Sequence, residues 1–354
     1  MRIRYVALCL TLLLFGAVGA LAQGDLPAAA DLDDGWNYLT VEGATCARGT
    51  PYTFAARPGD PEKLHIYFQG GGACWDNFTC RMASTFKSTT AVGELEEYQG
   101  VFDFANPENP LGDYSVAVIT YCSADVHTGE ATATYGEGSE AVEVTYNGVA
   151  NTRAVLDWVY ANYESPDQLV ISGSSAGAYG AIYHAASILD HYSEAQAIVL
   201  GDAGLGVTPP DWEGLDVWNM SANLSEAAAS ETSSADSFNA GLYAHSAAAF
   251  PNATFAEYTS TADQVQIGFF GFMGGESEDW APNALRHLDT LNAMDNYRSY
   301  LAWGDSHTIL AYDLFYTMQV DGVRFRDWFA DMVSGESVVS VACEDCETEE
   351  FHRP

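Results

Sequence analysis

Residues 168–177 read Gln168-Leu-Val-Ile-Ser-Gly-Ser-Ser-Ala-Gly177, and they carry the strongest structural signal in the sequence. An apolar, β-branched run enters a G-x-S-x-G motif, and a small-residue helical pattern follows it. In such a motif the central serine sits on a sharp, strained strand-to-helix turn, where larger neighbours than glycine would clash. The pattern therefore predicts a strand, a nucleophilic Ser175 and a helix that begins at Ala176, rather than an ordinary glycine-rich turn.

Short apolar strands alternate with helical patterns on both sides of this motif. Because the strands are buried and β-branched, the alternation predicts an α/β fold with a mostly parallel sheet that helices cover on both faces. Residues 203–250 break the rhythm and are expected to form an inserted, lid-like segment or a surface embellishment. Its Trp212, Trp218, Met220 and Leu224 either line a tunnel or simply pack. The expected strands are 63–68, 114–121, 168–172 and 197–200, and the expected helices are 142–163 and 176–189.

A glycine-rich loop, Gly70-Gly-Gly-Ala-Cys-Trp75, directly follows the strand that ends at Gln69. Acyl transfer needs backbone N–H groups aimed at the developing oxyanion, and glycine lets the chain approach closely. Gly71 and Gly72 are the predicted donors, together with Ala176 after the nucleophile. A phosphate-binding loop is the alternative, but neither G-x-G-x-x-G nor Gly-Lys-Ser/Thr is present.

The acid and the base of a serine triad should follow the nucleophile along the chain, each just beyond a strand. His307 follows the predicted strand 298–303 by a short turn and is the expected base. Asp263 follows the predicted strand 254–259 and is the expected acid. The rival acids are Asp279, Asp295 and Asp305.

The composition describes a globular protein with an acidic surface. The chain of 354 residues carries 49 Asp and Glu against 13 Lys and Arg, yet 48% of it is apolar and 13% aromatic. Such a charge repels phosphates, so nucleic acids are not expected as partners, and anionic membrane surfaces are disfavoured. Because H-E-x-x-H and clustered histidines are missing from the sequence, no metal ion and no other cofactor is expected.

The amino terminus resembles a secretory signal peptide. Arg2 and Arg4 precede an apolar run, and Ala20-Leu-Ala22 forms a small-x-small cleavage site. We therefore expect a signal peptide over residues 1–22, a catalytic domain over 23–342 and an acidic tail over 343–354. A second long apolar run is not found in the sequence, so a soluble extracellular or periplasmic monomer without stable membrane insertion is expected.

Six cysteines remain after such a cleavage, and an even number in an exported protein indicates disulfides. Several connectivities are possible. The spacing favours a local Cys74–Cys80 loop and a Cys343–Cys346 clip, which leaves Cys46–Cys122 by elimination.

Four blocks in the same order resemble the pectinacetylesterase family over about residues 35–310. The resemblance implies an α/β-hydrolase fold, a Ser–Asp–His triad and the removal of small acyl groups from polysaccharides or lipidated proteins. By position it marks Ser175, Asp263 and His307 as the triad and Gly71, Gly72 and Ala176 as the oxyanion donors. It also supports the Cys74–Cys80 and Cys46–Cys122 pairings. The blocks are Gly35–Tyr38, Tyr67–Trp75, Tyr121–Gly129 and Gly173–Gly177.

Three further residues are candidate substrate contacts. Asp125 and His127 follow the strand that ends at Tyr121, and they either touch the substrate or stabilise the turn. Trp75 either stacks on a sugar ring or packs in the core. The expected activity is removal of O-acetyl or other short acyl groups from a polysaccharide such as pectin. The alternatives are a broad carboxylesterase for lipid, polyester or acylated-protein esters, and a polysaccharide-binding relative without catalysis.

Overall fold

The computed structural model describes residues 26–234 and 237–343. The strands of this part are β1 Asn37–Thr45, β2 Pro51–Arg57, β3 Asp60–Phe68, β4 Tyr114–Ile119, β5 Ala131–Tyr135, β6 Val142–Tyr146, β7 Gln168–Ser174, β8 Gln196–Asp202, β9 Thr254–Ser260, β10 Tyr297–Ala302, β11 Gln319–Val320, β12 Val323–Arg324 and β13 Val341–Ala342. The helices are α1 Gly148–Asn162, α2 Ala176–His191, α3 Gly214–Val217, α4 Glu226–Ser234, α5 Phe238–Ala249, α6 Gln264–Phe272, α7 Ser277–Asn292, α8 Leu314–Thr317 and α9 Phe325–Val333.

One nine-stranded sheet organises the described chain in the order β1-β2-β4-β3-β7-β8-β9-β10-β13. From β4 to β13 every neighbouring pair is parallel, whereas β1 and β2 form an antiparallel edge. This mostly parallel α/β architecture confirms the predicted fold class.

Side chains of the central strands alternate between two hydrophobic cores. On β7, Leu169 and Ile171 belong to the core that α1, α2 and α5 cover, and Val170 belongs to the core under α8 and α9. Successive residues of a strand point to opposite faces, so a strand covered on both faces must be apolar at nearly every position. The continuous apolar runs in the sequence follow from this arrangement.

The parallel strands bring their carboxyl ends to one edge of the sheet. The glycine loop follows β3, Ser175 follows β7, Asp263 follows β9 and His307 follows β10. The register of β9 against β10, with Ser260 opposite Ala302, places the last two segments side by side. Ligands of open α/β sheets bind at this edge.

One predicted helix is wrong at its amino end. Residues 142–146 form β6, which pairs antiparallel with β5 through Ala131 and Tyr146, and α1 begins only at Gly148. Val142-Glu-Val-Thr-Tyr146 is rich in β-branched and aromatic residues, which favour a strand once a partner strand is available.

The segment 203–250 packs into the molecule over much of its described length. Trp218 and Met220 are buried, and the hydroxyl of Tyr183 on α2 donates to the carbonyl of Met220 over 2.6 Å. Helix α5 adds Phe238 and Leu242 to the core. That this segment moves as a lid stays a prediction.

The predicted signal peptide, 1–22, and all but the first residue of the predicted tail, 343–354, lie outside the described residues. Within the described ranges no helix has the length and apolarity that a membrane crossing needs.

Candidate active site

Ser175 lies on a strained turn between β7 and α2. Its φ of 55° and ψ of −123° lie outside the regions that side chains other than glycine usually occupy. The flanking glycines are sterically required, because a Cβ on Gly173 would overlap the carbonyl of Gly177, and one on Gly177 would overlap the carbonyl of Phe68. The turn leaves Ser175 half-buried at the amino end of α2.

His307 and Asp263 form a hydrogen-bonded pair. The Nδ1 atom of His307 lies 2.9 Å from Oδ2 and 3.0 Å from Oδ1 of Asp263. An ionised carboxylate only accepts hydrogen bonds, so this contact places the proton of a neutral His307 on Nδ1. The Nε2 atom is buried and has no hydrogen-bond partner among the described residues. It is therefore a free proton acceptor, in a cavity that Ser175 also lines.

Asp263 is held in place from several directions. Its side chain is fully buried and caps α6, accepting hydrogen bonds from the N–H groups of Val265 and Gln266, each over 3.0 Å. The side-chain amide of Gln266 donates to the second oxygen over 2.9 Å. The three rival acids, Asp279, Asp295 and Asp305, are exposed.

A second set of serine, histidine and carboxylate contacts lies in the core. His287 contacts Ser237 through Nδ1 at 2.7 Å and Glu257 through Nε2 at 2.6 Å. Each of the three residues is at most 2% exposed, so a substrate does not reach them. They hold the amino end of α5 against β9.

The glycine loop passes directly beside the nucleophile. A Cβ on Gly70 would lie 2.9 Å from the Cβ of Ser175, and Gly72 has a φ of +76°. Gly72 and Ala176 both line the cavity. Gly71 does not line it, and its backbone carbonyl accepts a hydrogen bond from the backbone N–H of Lys87 over 2.8 Å. The N–H of Ala176, the first residue of α2, has no acceptor within its own helix. The structure thus brings two of the three predicted donors, Gly72 and Ala176, to the cavity that Ser175 lines, and it does not place Gly71 there.

Eight aromatic side chains line the cavity. The cavity holds about 590 Å³ of empty space, part of it open to solvent. Trp75 and Trp212 pack edge to face with ring centroids 5.2 Å apart, and Trp212 and Trp218 do so at 5.6 Å. The space beside Ser175 therefore suits an apolar group. Its aromatic lining residues are Trp75, Tyr179, Trp212, Trp218, Phe238, Phe269, Phe270 and Trp280.

Comparison with known proteins agrees with this geometry. The family model described as pectinacetylesterase matches residues 37–267. The chain belongs to the pectinacetylesterase family. Membership supports an esterase, and the matched range includes Ser175, Asp263 and the glycine loop, whereas His307 lies beyond it.

Two solved structures of the Wnt deacylase Notum from Drosophila share the fold. One crystal form is 15% identical with a TM-score of 0.64, over 87% of this chain and 95% of that chain. The other is 17% identical with a TM-score of 0.63, over 84% and 93%. Identities this low establish the fold alone. A comparison with curated proteins found no match.

In this pectinacetylesterase-family chain a further carboxylate, Asp202, joins the two loops of the site. Its Oδ2 accepts from the hydroxyl of Ser174 over 2.6 Å and from the N–H groups of Ile309 and Leu310 over 3.0 Å. Its carbonyl accepts from the N–H of Ser175 over 2.7 Å. Burial raises the pKa of Asp202 to about 6, and these hydrogen bonds offset only part of that rise. No sequence motif singled out this residue, although its position at the end of β8 was a usable signal.

Asp125 and His127 lie beneath the site rather than in it. Asp125 is fully buried and accepts from the hydroxyl of Ser123 over 2.6 Å and from the N–H of Gly148 over 2.8 Å. Burial raises its pKa to about 7. Nε2 of His127 lies 2.8 Å from the carbonyl of Gln69, and burial lowers the pKa of its imidazole to about 3. Their side chains hold the loops together and do not line the described cavity, which favours the second of the two predicted roles, stabilising the turn. Trp75 does line it.

Two disulfides fix the segments around the glycine loop. Cys74–Cys80 and Cys46–Cys122 are both formed, which confirms these predicted pairings and fits an exported protein. Cys346 lies outside the described residues, so the Cys343–Cys346 clip stays a prediction.

Within the described ranges, no group of three or more His, Cys, Asp or Glu side chains could hold a metal ion.

Proposed function

We propose that this chain is a secreted serine esterase that hydrolyses carboxylic esters through an acyl-enzyme. Ser175 Oγ attacks the ester carbonyl while Nε2 of His307 takes its proton and then gives it to the leaving alcohol. Asp263 keeps the proton of neutral His307 on Nδ1 and stabilises the imidazolium. The N–H groups of Gly72 and Ala176 stabilise the oxyanion, and Gly71 is the third proposed donor. Water then attacks the acyl-enzyme by the same proton route and releases the acid.

The observation that carries this proposal is the environment of the two ring nitrogens of His307. One nitrogen is fixed by a buried carboxylate. The other is buried in a cavity that Ser175 lines and has no hydrogen-bond partner in the part of the chain that the structure describes. A buried nitrogen with no partner is unfavourable for folding unless a ligand or a reaction uses it. A polysaccharide-binding relative without catalysis would gain nothing from this arrangement or from the strained Ser175.

As substrate we propose an O-acetylated polysaccharide such as pectin. Membership of the pectinacetylesterase family supports this choice. The apolar run near the amino terminus resembles a signal peptide, and it supports export of the enzyme to where such a polymer occurs.

A second candidate substrate is an ester with a larger apolar acyl group. The aromatic wall of the cavity favours it, because an acetyl group would cover little of that surface. The two candidates differ in chain-length preference. Acetate released from acetylated pectin or xylan is compared with hydrolysis of p-nitrophenyl esters from acetate to palmitate. A rate that falls steeply beyond acetate supports the first candidate, and a rate that rises with chain length supports the second.

Removal of the nucleophile tests ester hydrolysis itself. Ser175→Ala should lower kcat on p-nitrophenyl acetate by about 10⁴-fold or more, as in other serine triads. Ser187→Ala, on α2 about three turns beyond Ser175, is the matched control and should keep its activity. The proposal fails if a folded Ser175→Ala protein retains most of the wild-type rate.

A further inference from the structure

Exposed apolar side chains gather at the mouth of the cavity. Of the nine large hydrophobic residues that are exposed in the described chain, Phe78, Met82, Val265 and Phe272 lie on two neighbouring segments, a turn at Phe78–Met82 and helix α6. The rings of Phe78 and Phe272 are 5.8 Å apart, although they are 47% and 45% exposed. Such a cluster on a soluble protein usually marks a contact surface. We call these four residues and the outer side of α6 the apolar face.

The apolar face continues into the cavity. The ring of Phe269, which lines the cavity, is 5.9 Å from the ring of Phe272 outside it and 6.4 Å from the ring of Trp75 inside it. Val265 belongs to both surfaces, and Asp263 caps the same helix. A molecule seated on this face therefore lies next to the cavity that Ser175 lines.

The outer side of α6 is bare and uncharged. Residues 264–275 contain no charged side chain, in a chain with 49 acidic residues. A Cβ on Gly268 or Gly271 would meet nothing within 4 Å, and neither glycine has a positive φ. Neither backbone conformation nor packing requires glycine there, and each glycine in a helix costs about 1 kcal/mol relative to alanine. The helix keeps a flat outer surface although alanine would make it more stable.

We propose that the apolar face seats the enzyme on the surface of a neutral, water-insoluble ester, so that esters enter the cavity from an assembled phase. This inference rests on the proposed ester hydrolysis at Ser175. The chemistry of the face selects this occupant. Phe, Met, Val and bare backbone offer apolar area with few hydrogen-bonding groups, whereas sugar chains need many such groups. A formal charge of −36 repels an anionic surface and leaves a neutral one accessible.

The test compares emulsified tributyrin with monomeric p-nitrophenyl acetate. The variant Phe78→Ser/Phe272→Ser removes two half-exposed rings, so thermal unfolding should change little. We expect its rate on the emulsion to fall at least tenfold, while kcat/KM on p-nitrophenyl acetate changes less than twofold. Val339→Ser is the matched control, because Val339 is 76% exposed and lies before β13, near the amino ends of the strands. It should leave both rates unchanged.

Each other outcome overturns the inference in a recognisable way. Equal losses of rate on both substrates mean that the rings support the cavity. No loss of rate on either substrate means that the apolar face does not contribute to catalysis on the emulsion. A selective loss on acetylated polysaccharide identifies a sugar chain as the occupant. A wild-type dimer that the double variant converts to a monomer, by light scattering, identifies a second copy. Hydrolysis of p-nitrophenyl acetate without any activity on the emulsion refutes this inference and leaves the proposed function intact, whereas an active Ser175→Ala protein refutes the proposed function.

Discussion

Replacing Asp202 with asparagine removes a buried charge and keeps the shape of the side chain. The carboxylate lies fully buried at the end of β8 and accepts hydrogen bonds from Ser174, Ile309 and Leu310. Burial raises its pKa to about 6 from an ordinary value of 3.8. At neutral pH Asp202 is therefore ionised in the folded protein, but the ionised form is less favourable there than in the unfolded chain.

The sign and size of the effect follow from this pKa. A folded-state pKa above the unfolded value means that the folded protein binds the proton more tightly, so stability present at low pH is lost as the pH rises from about 4 through about 6. The shift of roughly two pH units corresponds to about 3 kcal/mol in total. Asparagine does not titrate. The free energy of unfolding of Asp202→Asn, relative to the wild type, should therefore rise by about 2 kcal/mol between pH 4 and pH 8.

Urea unfolding of both proteins between pH 4 and pH 8 measures this difference, with Asp295→Asn as an exposed matched control. The same carboxylate joins the turn of Ser175 to the loop that carries His307. Loss of one charged hydrogen bond is worth about 1.5 kcal/mol or more, so kcat/KM at pH 8 should fall at least tenfold. A stability difference that stays constant with pH would refute the reasoning about the buried charge. An unchanged kcat/KM would refute the role of Asp202 in positioning the site.

Two further predictions concern stability. Gly268→Ala combined with Gly271→Ala should stabilise the protein by about 1–2 kcal/mol, because both glycines lie in open space within a helix. Calorimetry should show a rise in the unfolding midpoint of roughly 1–3 °C, and a fall would show that α6 needs its bare backbone for packing. His65 is buried against Ser172, and burial lowers the pKa of its imidazole to about 3, so its contribution to stability is lost as the pH falls below about 6.5. His65→Gln should make the pH dependence of the free energy of unfolding shallower by about 1.4 kcal/mol per pH unit near pH 5, and an unchanged slope in urea titrations would contradict this.

Local sequence patterns predicted much of the site. The glycines around Ser175 and in the loop that ends at Trp75 are required by close backbone approach, which a sequence reveals through spacing alone. The central strands were predictable because burial on both faces demands continuous apolar runs. The Cys74–Cys80 disulfide was predictable because its loop is short.

Features that depend on distant partners were not predictable in this way. Residues 142–146 became a strand because β5 lies beside them, and propensity within the segment itself did not decide between helix and strand. Asp125 and His127 follow a strand at the correct edge, and the sequence left open whether they touch the substrate or stabilise the turn. Their side chains turned inward, where Ser123, Gly148 and Gln69 satisfy them. Asp202 was missed because it accepts hydrogen bonds from the N–H groups of Ile309 and Leu310, which lie more than a hundred residues away along the chain.

Local sequence was sufficient for the central strands, the sharp turn at Ser175 and the acidic charge of 49 carboxylates against 13 cations. Which of those carboxylates meets His307 depends on the tertiary structure. The parallel register of β9 and β10 places Asp263 within 2.9 Å of the imidazole, while the rival acids remain exposed. The tertiary structure also gathered aromatic residues from separate segments around Ser175 and left α6 bare at the cavity mouth. Local conformation depends on neighbours along the chain, whereas a cavity and its entrance depend on how distant segments pack.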